Sequence, residues 1–409
     1  MYLQCSNSQC LARLDMDDRS VTCARCGELL EIGYEPLRID PRGLKKTWWQ
    51  RRSSRDPLDL SGVWRFREFL PELYRRDTVV TLQEGNTPLL KAGGSAAYTG
   101  LLNLWFKHLG WNPTGSFKDG GMTVGMTQAR RLRVDHVACA STGNTAASMS
   151  AYAARAGIPA RVYLPKGGIS AAKLAQSLDY GAKIVELNGN FDNALEEMLR
   201  TAGPETYFLN SINPFRIEGQ KIVVIELMEQ LDWKPPDYIV VPGGNLGNAS
   251  AFGKALQELT ANGLIEKIPR LVIVQAEGAN PLVRAWQEGG ESLTVIPEPA
   301  TAATAIRIGN PRSWKKAVRA LRFTDGFCLD VSESEIAEAK TVIGKDGIGC
   351  EPASATTLAG LRKLVSRGTV DEAATAVAVL TGHVLKDPDY VVQSLEKGKV
   401  PSLGFRMAK

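Results

Sequence analysis

From about residue 100 onward, short runs rich in β-branched and aliphatic residues alternate with stretches of helical spacing. The strand candidates are LNLWFKH, HVACA, ARVYL, KIVEL, YIVVP, LVIVQA and AVAVL. Between them lie the helix candidates TAASMSAYAARAG, SAAKLAQSLDYG and PFRIEGQKIVVIELMEQL. This alternation constrains the fold more than any other feature. Two parallel strands need a crossover long enough to hold a helix, so repeated strand–helix units imply a mostly parallel α/β sheet covered on both faces. A chain of 409 residues has room for two or three domains. In open parallel sheets, ligands bind in the crevice at the carboxyl ends of the strands. The loops that follow these strands are therefore where chemistry is expected.

Three of those loops are unusual. HVACA runs into STGNTAAS (141–148), YIVVP into GGNLGN (243–248) and AVAVL into TGHVLKD (381–387). A glycine-rich turn between strand and helix exposes successive N–H groups and aims a helix N-terminus at an anion, usually phosphate. GGNLGN lacks the G-x-G-x-x-G order of a dinucleotide site. STGNTAAS offers hydroxyls, an amide and a helix start, which suit a carboxylate or a ring hydroxyl, although Ser or Thr there also reads as a plain N-cap. A fourth stretch, NPTGSFKDGGM (112–122), sets Lys118 among small residues at the mouth of a helix. An amine shielded there can lose its proton and attack a carbonyl. Read alone, Lys118 is equally an ordinary helix-start lysine paired with Asp119 on the surface. Together with the three loops, it points to a cofactor carrying both a carbonyl and a phosphate.

Composition narrows the alternatives. The net charge of +5 is spread out, and its densest clusters, QRRSSR (50–55) and RRLR (130–133), read as solvated faces rather than a nucleic-acid or membrane surface. No apolar run is long enough to span a bilayer, and the start MYLQCSNSQC lacks the basic-then-apolar order of a signal peptide. A cytoplasmic protein acting on a small molecule is expected. The three histidines, His108, His136 and His383, have no metal-hydrolase spacing, and no G-x-S-x-G elbow occurs.

Of the seven cysteines, Cys139, Cys328 and Cys350 are scattered and read as buried fillers. Cys5, Cys10, Cys23 and Cys26 are spaced C-x4-C-x12-C-x2-C. Two thiolate pairs joined by a loop can hold one structural zinc, with a metal-free ribbon or a redox C-x-x-C as the alternatives. Residues 1–35 are thus expected to be a small zinc-ribbon-like segment. Residues 36–80, with Trp48, Trp49 and Trp64, are expected to be a connecting arm.

These motifs carry a resemblance. EGNTPLL (84–90), KHLGWNPTGSFKD (107–119), ACASTGNTAAS (138–148), GNFDNAL (189–195), LNSINPFRIEGQK (209–221), VPGGNLGN, QAEGANPL, AIRIGNP, EPASATTLAGL (351–361) and LTGHVLKD occur in order. With them the chain resembles the threonine synthases, pyridoxal 5′-phosphate (PLP) enzymes of the tryptophan-synthase-β fold type, over nearly everything after residue 80. The resemblance implies fold type II of PLP enzymes: two open, three-layer αβα subdomains within 81–409, the smaller (about 122–222) inserted in the larger. It implies that Lys118 holds the cofactor covalently and that Asn144 bonds its ring hydroxyl. Gly244, Asn245, Leu246, Gly247 and Asn248 would cradle its phosphate, and Thr381 would face its pyridine nitrogen. Ser141, Thr142 and Thr145 would take the substrate carboxylate. For the substrate phosphate the candidates are Lys107 and the Asn86–Thr87 turn. A homodimer is also implied.

The implied reaction converts O-phospho-L-homoserine and water to L-threonine and phosphate, with Lys118 moving protons as general base and acid. A hydroxyl at Thr381 in place of a carboxylate leaves the ring nitrogen largely unprotonated, which suits elimination and replacement. Two departures stand out: Gly120 replaces a frequent arginine, and the phosphate loop begins Gly243-Gly244. Rival readings are a cysteate synthase or threonine dehydratase on the same fold, or a non-catalytic copy of it.

Overall fold

The computed structural model describes residues 1–34, 40–72, 75–141, 143–166, 171–188, 197–198, 200, 203 and 205–396. The GNFDNAL run and Thr142 lie outside these residues.

The first residues form a three-stranded antiparallel ribbon ordered β2-β1-β3, from β1 (Tyr2–Cys5), β2 (Arg13–Leu14) and β3 (Leu30–Gly33). The arm contributes α1 (Pro41–Arg51) and α2 (Pro57–Leu60), each started by an aspartate that caps the first turn and a proline that pre-sets it.

The body then alternates β4 (Leu89–Lys91), α3 (Gly94–Thr99), β5 (Asn103–His108), α4 (Lys118–Arg131), β6 (His136–Ala140), α5 (Asn144–Ala156), β7 (Ala160–Pro165), α6 (Ala171–Asp179), β8 (Lys183–Leu187) and β9 (Thr206–Phe208). It continues with α7 (Pro214–Gln230), β10 (Tyr238–Pro242), α8 (Gly247–Ala261), β11 (Arg270–Ala276), α9 (Pro281–Gln287), α10 (Trp314–Phe323), β12 (Phe327–Val331), α11 (Glu333–Lys345), α12 (Pro352–Ser366), β13 (Thr375–Leu380) and α13 (Pro388–Glu396).

These strands make two sheets. The larger has the order β12-β11-β10-β13-β5-β4, parallel except for β4, and the smaller has the order β8-β7-β6-β9, all parallel. All seven strand candidates read from the sequence are strands. The missed ones, β4, β9 and β12, are edge strands. Central strands such as YIVVP are buried on both faces and read as unbroken apolar runs, whereas edge strands bury less and leave a weaker signal. Separate apolar cores cover the two faces of the large sheet and the small sheet, and the first takes in Leu3 and Ile32 of the ribbon and Trp48, Trp64 and Phe66 of the arm.

Where α4 crosses α7, the helices touch backbone to backbone. A methyl group on Gly219 would lie 1.9 Å from the Gly120 carbonyl oxygen, and one on Gly121 would lie 2.7 Å from that of Arg216. A methyl on Gly120 itself would meet nothing closer than 3.5 Å, so glycine at position 120 is not required by this contact.

This asymmetry predicts opposite outcomes for neighbouring glycines. Gly219→Ala should lower stability by about 3 kcal/mol or more by forcing the helices apart. Gly120→Ala should be neutral or stabilising by up to about 1 kcal/mol, since alanine favours helix. Thermal and urea denaturation of the two variants compare them directly. Equal effects would show that the crossing is not tight.

Candidate active site

The carboxyl ends of β6, β10 and β13 and the start of α4 surround a cavity of about 630 Å³. The three loops singled out in the sequence all reach it. Lys118, Ser141, Asn144, Thr145, Gly244, Asn245, Leu246, Gly247, Asn248 and Thr381 line the wall.

Lys118 is the first residue of α4 and is placed by the loop before it. Phe117 N donates to the Thr381 carbonyl at 2.9 Å, and His383 N donates to the Gly115 carbonyl at 2.9 Å, so the lysine loop is stitched to the TGH loop. Gly115 adopts φ +83°, a left-handed conformation in which a side chain would be strained. Asp119 does not pair with Lys118. It is buried and accepts from Thr114 N at 2.7 Å, Thr114 Oγ1 at 2.6 Å and Ser148 Oγ at 2.5 Å. That leaves the amine without its expected surface counter-ion. Desolvation, helped by the Arg216 charge and opposed by Glu351, lowers Lys118 to about 7.

The GGNLGN loop ends in Leu246 at φ +64°, which turns the chain into α8. Neither α4, α5 nor α8 has a side-chain cap at its start, whereas Asn213 caps α7 through Phe215 N and Arg216 N. The first N–H groups of α8 have no intrahelical acceptor and face the cavity side of the loop. Asn245 braces the loop, donating to Ser211 Oγ and accepting from Arg312 N, both at 2.7 Å. Both polar side-chain atoms of Asn248 are buried without a partner. An uncapped helix start, an orphaned amide and an amine of lowered pKa fit a group that carries both a phosphate and an aldehyde.

The structure does not bring Lys107, Asn86 and Thr87 to this cavity. Lys107 is fully buried against Glu226, and its Nζ also donates to the Thr87 carbonyl at 2.7 Å and Gln230 Oε1 at 2.8 Å. Asn86 N and Thr87 N donate to the same Glu226 carboxylate at 2.7 and 3.0 Å. A buried carboxylate already fills these donors and would repel a phosphate, so the phosphate candidates are corrected.

Two charged residues were not singled out from the sequence. Arg216, in the first turn of α7, is buried, with Nη1 on the Leu209 carbonyl at 3.1 Å and with Nε and Nη2 unpartnered. Gln220, one turn on, lines the cavity with its Oε1 unpartnered. A cation in a first helical turn opposes the helix dipole, and that was the available signal. Glu351 lines the cavity and accepts from Asn144 Nδ2 at 2.8 Å and Thr381 Oγ1 at 2.9 Å. Nothing in EPASATTLAGL says that this acid turns away from the helix it precedes.

Comparison with known proteins agrees with this geometry. Residues 80–382 match the family described as pyridoxal-phosphate dependent enzyme. A threonine synthase of Methanocaldococcus jannaschii is 43% identical over 391 residues, covering 95% of this chain and 94% of that protein. One from Methanosarcina acetivorans is 43% identical over 404 residues, covering 98% and 95%. Among solved structures, a fungal L-serine ammonia-lyase from Rhizomucor miehei superposes with TM-score 0.66 at 21% identity, covering 76% of this chain and 98% of that one. Threonine deaminase isoform 2 from Solanum lycopersicum gives 0.65 at 18% identity, covering 90% and 96%. These distant structures share the fold.

The lowered pKa of Lys118 has a measurable consequence. A depressed lysine is neutral above its pKa, so in protein stripped of carbonyl compounds Lys118 should acylate with a half-maximal rate near pH 7. Peptide mapping after brief acetylation across a pH series checks this. A midpoint above about pH 9, near an ordinary lysine, would show that the cavity does not desolvate the amine.

Proposed function

The chain belongs to the pyridoxal-phosphate dependent enzymes and, among them, to the threonine synthases; from that premise we propose how its cavity converts O-phospho-L-homoserine and water to L-threonine and phosphate. The observation that carries the reading is Lys118, a desolvated amine at a helix start, facing an uncapped glycine-rich phosphate loop across one cavity.

In this reading Lys118 holds the cofactor, and the N–H groups of Gly244 to Asn248 with the Asn248 amide hold its phosphate. When bound, the cofactor supplies an electron sink for charge that develops beside the substrate's α-carbon. Lys118, near neutral in its charge balance, takes and returns protons at the substrate's Cα and Cβ. The start of α5, with Ser141 and Thr145, receives the substrate carboxylate, and the helix dipole favours that negative charge. Thr142 completes that assignment from outside the described residues.

The departing phosphate needs a cation that Lys107 cannot supply. Arg216 is a buried cation one helical turn before the cavity-lining Gln220, with Nε and Nη2 unpartnered among the described residues, and burial lowers its pKa only to about 10, so it stays charged. We assign it, with Gln220, to the substrate phosphate.

The first four cysteines support a structural metal. Their sulfur atoms lie within 4.8 Å of one another, with Cys5–Cys26 at 3.4 Å and Cys10–Cys23 at 3.7 Å, and none is in a disulfide. Tetrahedral zinc with bonds of about 2.3 Å holds its sulfurs about 3.8 Å apart. Four protein ligands leave no open position, so the role is structural. The reading also takes the protein as a cytoplasmic homodimer, an assembly that sedimentation of the purified chain tests.

Purified protein should release phosphate from phosphohomoserine and form threonine, and borohydride should fix the cofactor to the Lys118 peptide. Comparable threonine formation from unphosphorylated homoserine would refute this reading, and faster turnover of phosphoserine with sulfite would favour the cysteate-forming rival. One lost charge-assisted hydrogen bond is worth about 1.5–3 kcal/mol, so Arg216→Lys should lower kcat/KM for phosphohomoserine about ten- to a hundredfold. An unchanged value would remove Arg216 from the phosphate site. Elemental analysis should find one zinc per chain, and Cys26→Ser should cost thermal stability more than kcat. Zinc-free protein from zinc-replete cells would sink the metal assignment.

A further inference from the structure

Asp119 follows the lysine directly, where the sequence offers it as a surface counter-ion for Lys118. Its side chain is fully buried instead, with no ion-pair partner among the described residues. Both oxygens are taken by neutral donors. Oδ2 accepts Thr114 N at 2.7 Å, and Oδ1 accepts Thr114 Oγ1 at 2.6 Å and Ser148 Oγ at 2.5 Å. The bonds to Thr114 close the loop that carries Lys118. The bond to Ser148 crosses to α5, where Ser148 shares a helical face with Asn144 and Thr145.

The lysine loop is thus held from two sides. On one, Phe117 N and His383 N tie it to the loop after β13. On the other, Asp119 ties it to the first turns of α5. This second tie does not depend on one protonation state. Burial pushes Asp119 up to about 6, with the Ser148 and Thr114 donors holding it down, so it is ionised at neutral pH. A proton on Oδ1 would reverse one hydroxyl contact and leave the other in place, together with the Thr114 N–H on Oδ2. Nor does the tie alone hold the helices together. Met122 and Met126 of α4 share an apolar core with Ala146 and Met149 of α5.

We propose that Asp119 is a positioning residue: it clamps the loop carrying Lys118 to the first turns of α5, and so fixes the proton-moving amine against the helix start that receives the substrate. The inference rests on the functional reading above, in which Lys118 moves protons on a substrate whose carboxylate sits on α5. Proton transfer needs the base within about 3 Å of the atom it serves, and a misplacement of about 1 Å can cost about a hundredfold in rate. Loosening the clamp therefore acts on kcat. The carboxylate site lies on α5 itself, so KM is spared.

The test compares the full chain with Asp119→Ala, Asp119→Asn, Ser148→Ala and the double variant Asp119→Ala/Ser148→Ala. Asp119→Ala should lower kcat for phosphohomoserine about ten- to a hundredfold, with KM changed by less than about threefold. Asparagine can accept Thr114 N on its oxygen and donate to both hydroxyls through its amide, so Asp119→Asn should recover most of that loss. Ser148→Ala should also lower kcat, and the double variant should be no worse than Asp119→Ala, because Ser148 acts through Asp119. A readout independent of turnover is amide hydrogen exchange over residues 112–118 of the cofactor-free protein. It should quicken in Asp119→Ala and return toward wild type in Asp119→Asn. Wild-type kcat or unchanged exchange in Asp119→Ala overturns the inference, as does equal damage from Asp119→Asn and Asp119→Ala. Wild-type kcat in Ser148→Ala overturns it too, and decides the matter if Asp119→Ala does not fold. If the wild-type protein binds no pyridoxal phosphate and forms no threonine, the functional reading fails, while the exchange rates still report on the clamp.

Discussion

Two helices that cross with no side chain between them set the position of the site. Gly219 of α7 rests on the Gly120 carbonyl of α4, within the first two turns of both helices. The helix α4 begins at the cavity with Lys118, and α7 carries Arg216 in its first turn and the cavity-lining Gln220 in its second. The crossing therefore fixes the distance between the amine and the guanidinium that depresses it. A wider crossing would let solvent between them and weaken that effect, because charge interactions fall steeply as the local dielectric rises.

The molecule treats buried charge in two ways. Away from the cavity several buried charges are paired. Lys107 meets Glu226, and Lys221 lies between Glu218 and Glu258 at 2.5 and 2.7 Å. In and near the cavity, among the described residues, polar groups are left incomplete: Lys118 forms no ion pair with a carboxylate, Arg216 keeps Nε and Nη2 unpartnered, and the Asn248 side-chain amide has no hydrogen bond. An unsatisfied buried polar group costs about 1–3 kcal/mol. Such sites persist where a ligand completes them, and here Lys118 and Asn248 line the same cavity.

The ribbon and arm share the same core. Lys316 and Lys254 reach from α10 and α8 to the Leu30 and Ile32 carbonyls of β3, at 2.8 and 2.6 Å. Trp64 of the arm donates to Thr123 Oγ1 of α4 at 2.7 Å, and Arg65 meets Glu229 of α7 at 2.9 Å. The helices that bear the site at their first turns are thus held further along by the two N-terminal segments. A strand–helix pattern read from residue 100 onward says nothing of this, because the contacts join residues far apart in sequence.

Much of the catalytic body was legible because its signals are local. Unbroken apolar runs marked the central strands, and Gly, Ser and Asn at their ends marked the loops where an anion or a carbonyl could sit. Period and turn chemistry belong to neighbouring residues, so Lys118 and the three loops could be marked without coordinates, while Asn144 and Thr381 were named by what the resemblance implies. The roles of Lys107, Arg216, Asp119 and Glu351 could not. Each is a charged residue beside a motif, and whether it faces ligand, counter-ion or a hydroxyl depends on the element packed against it. Lys107 looked like a phosphate ligand until α7 brought Glu226 beneath it. Glu351 was not singled out in the sequence, and its partner appears only where β13 brings Thr381 alongside. Composition and pattern determined which chemistry this chain can hold, and tertiary packing decided which charges are left unpaired to perform it, because pairing depends on distances that only the folded chain sets.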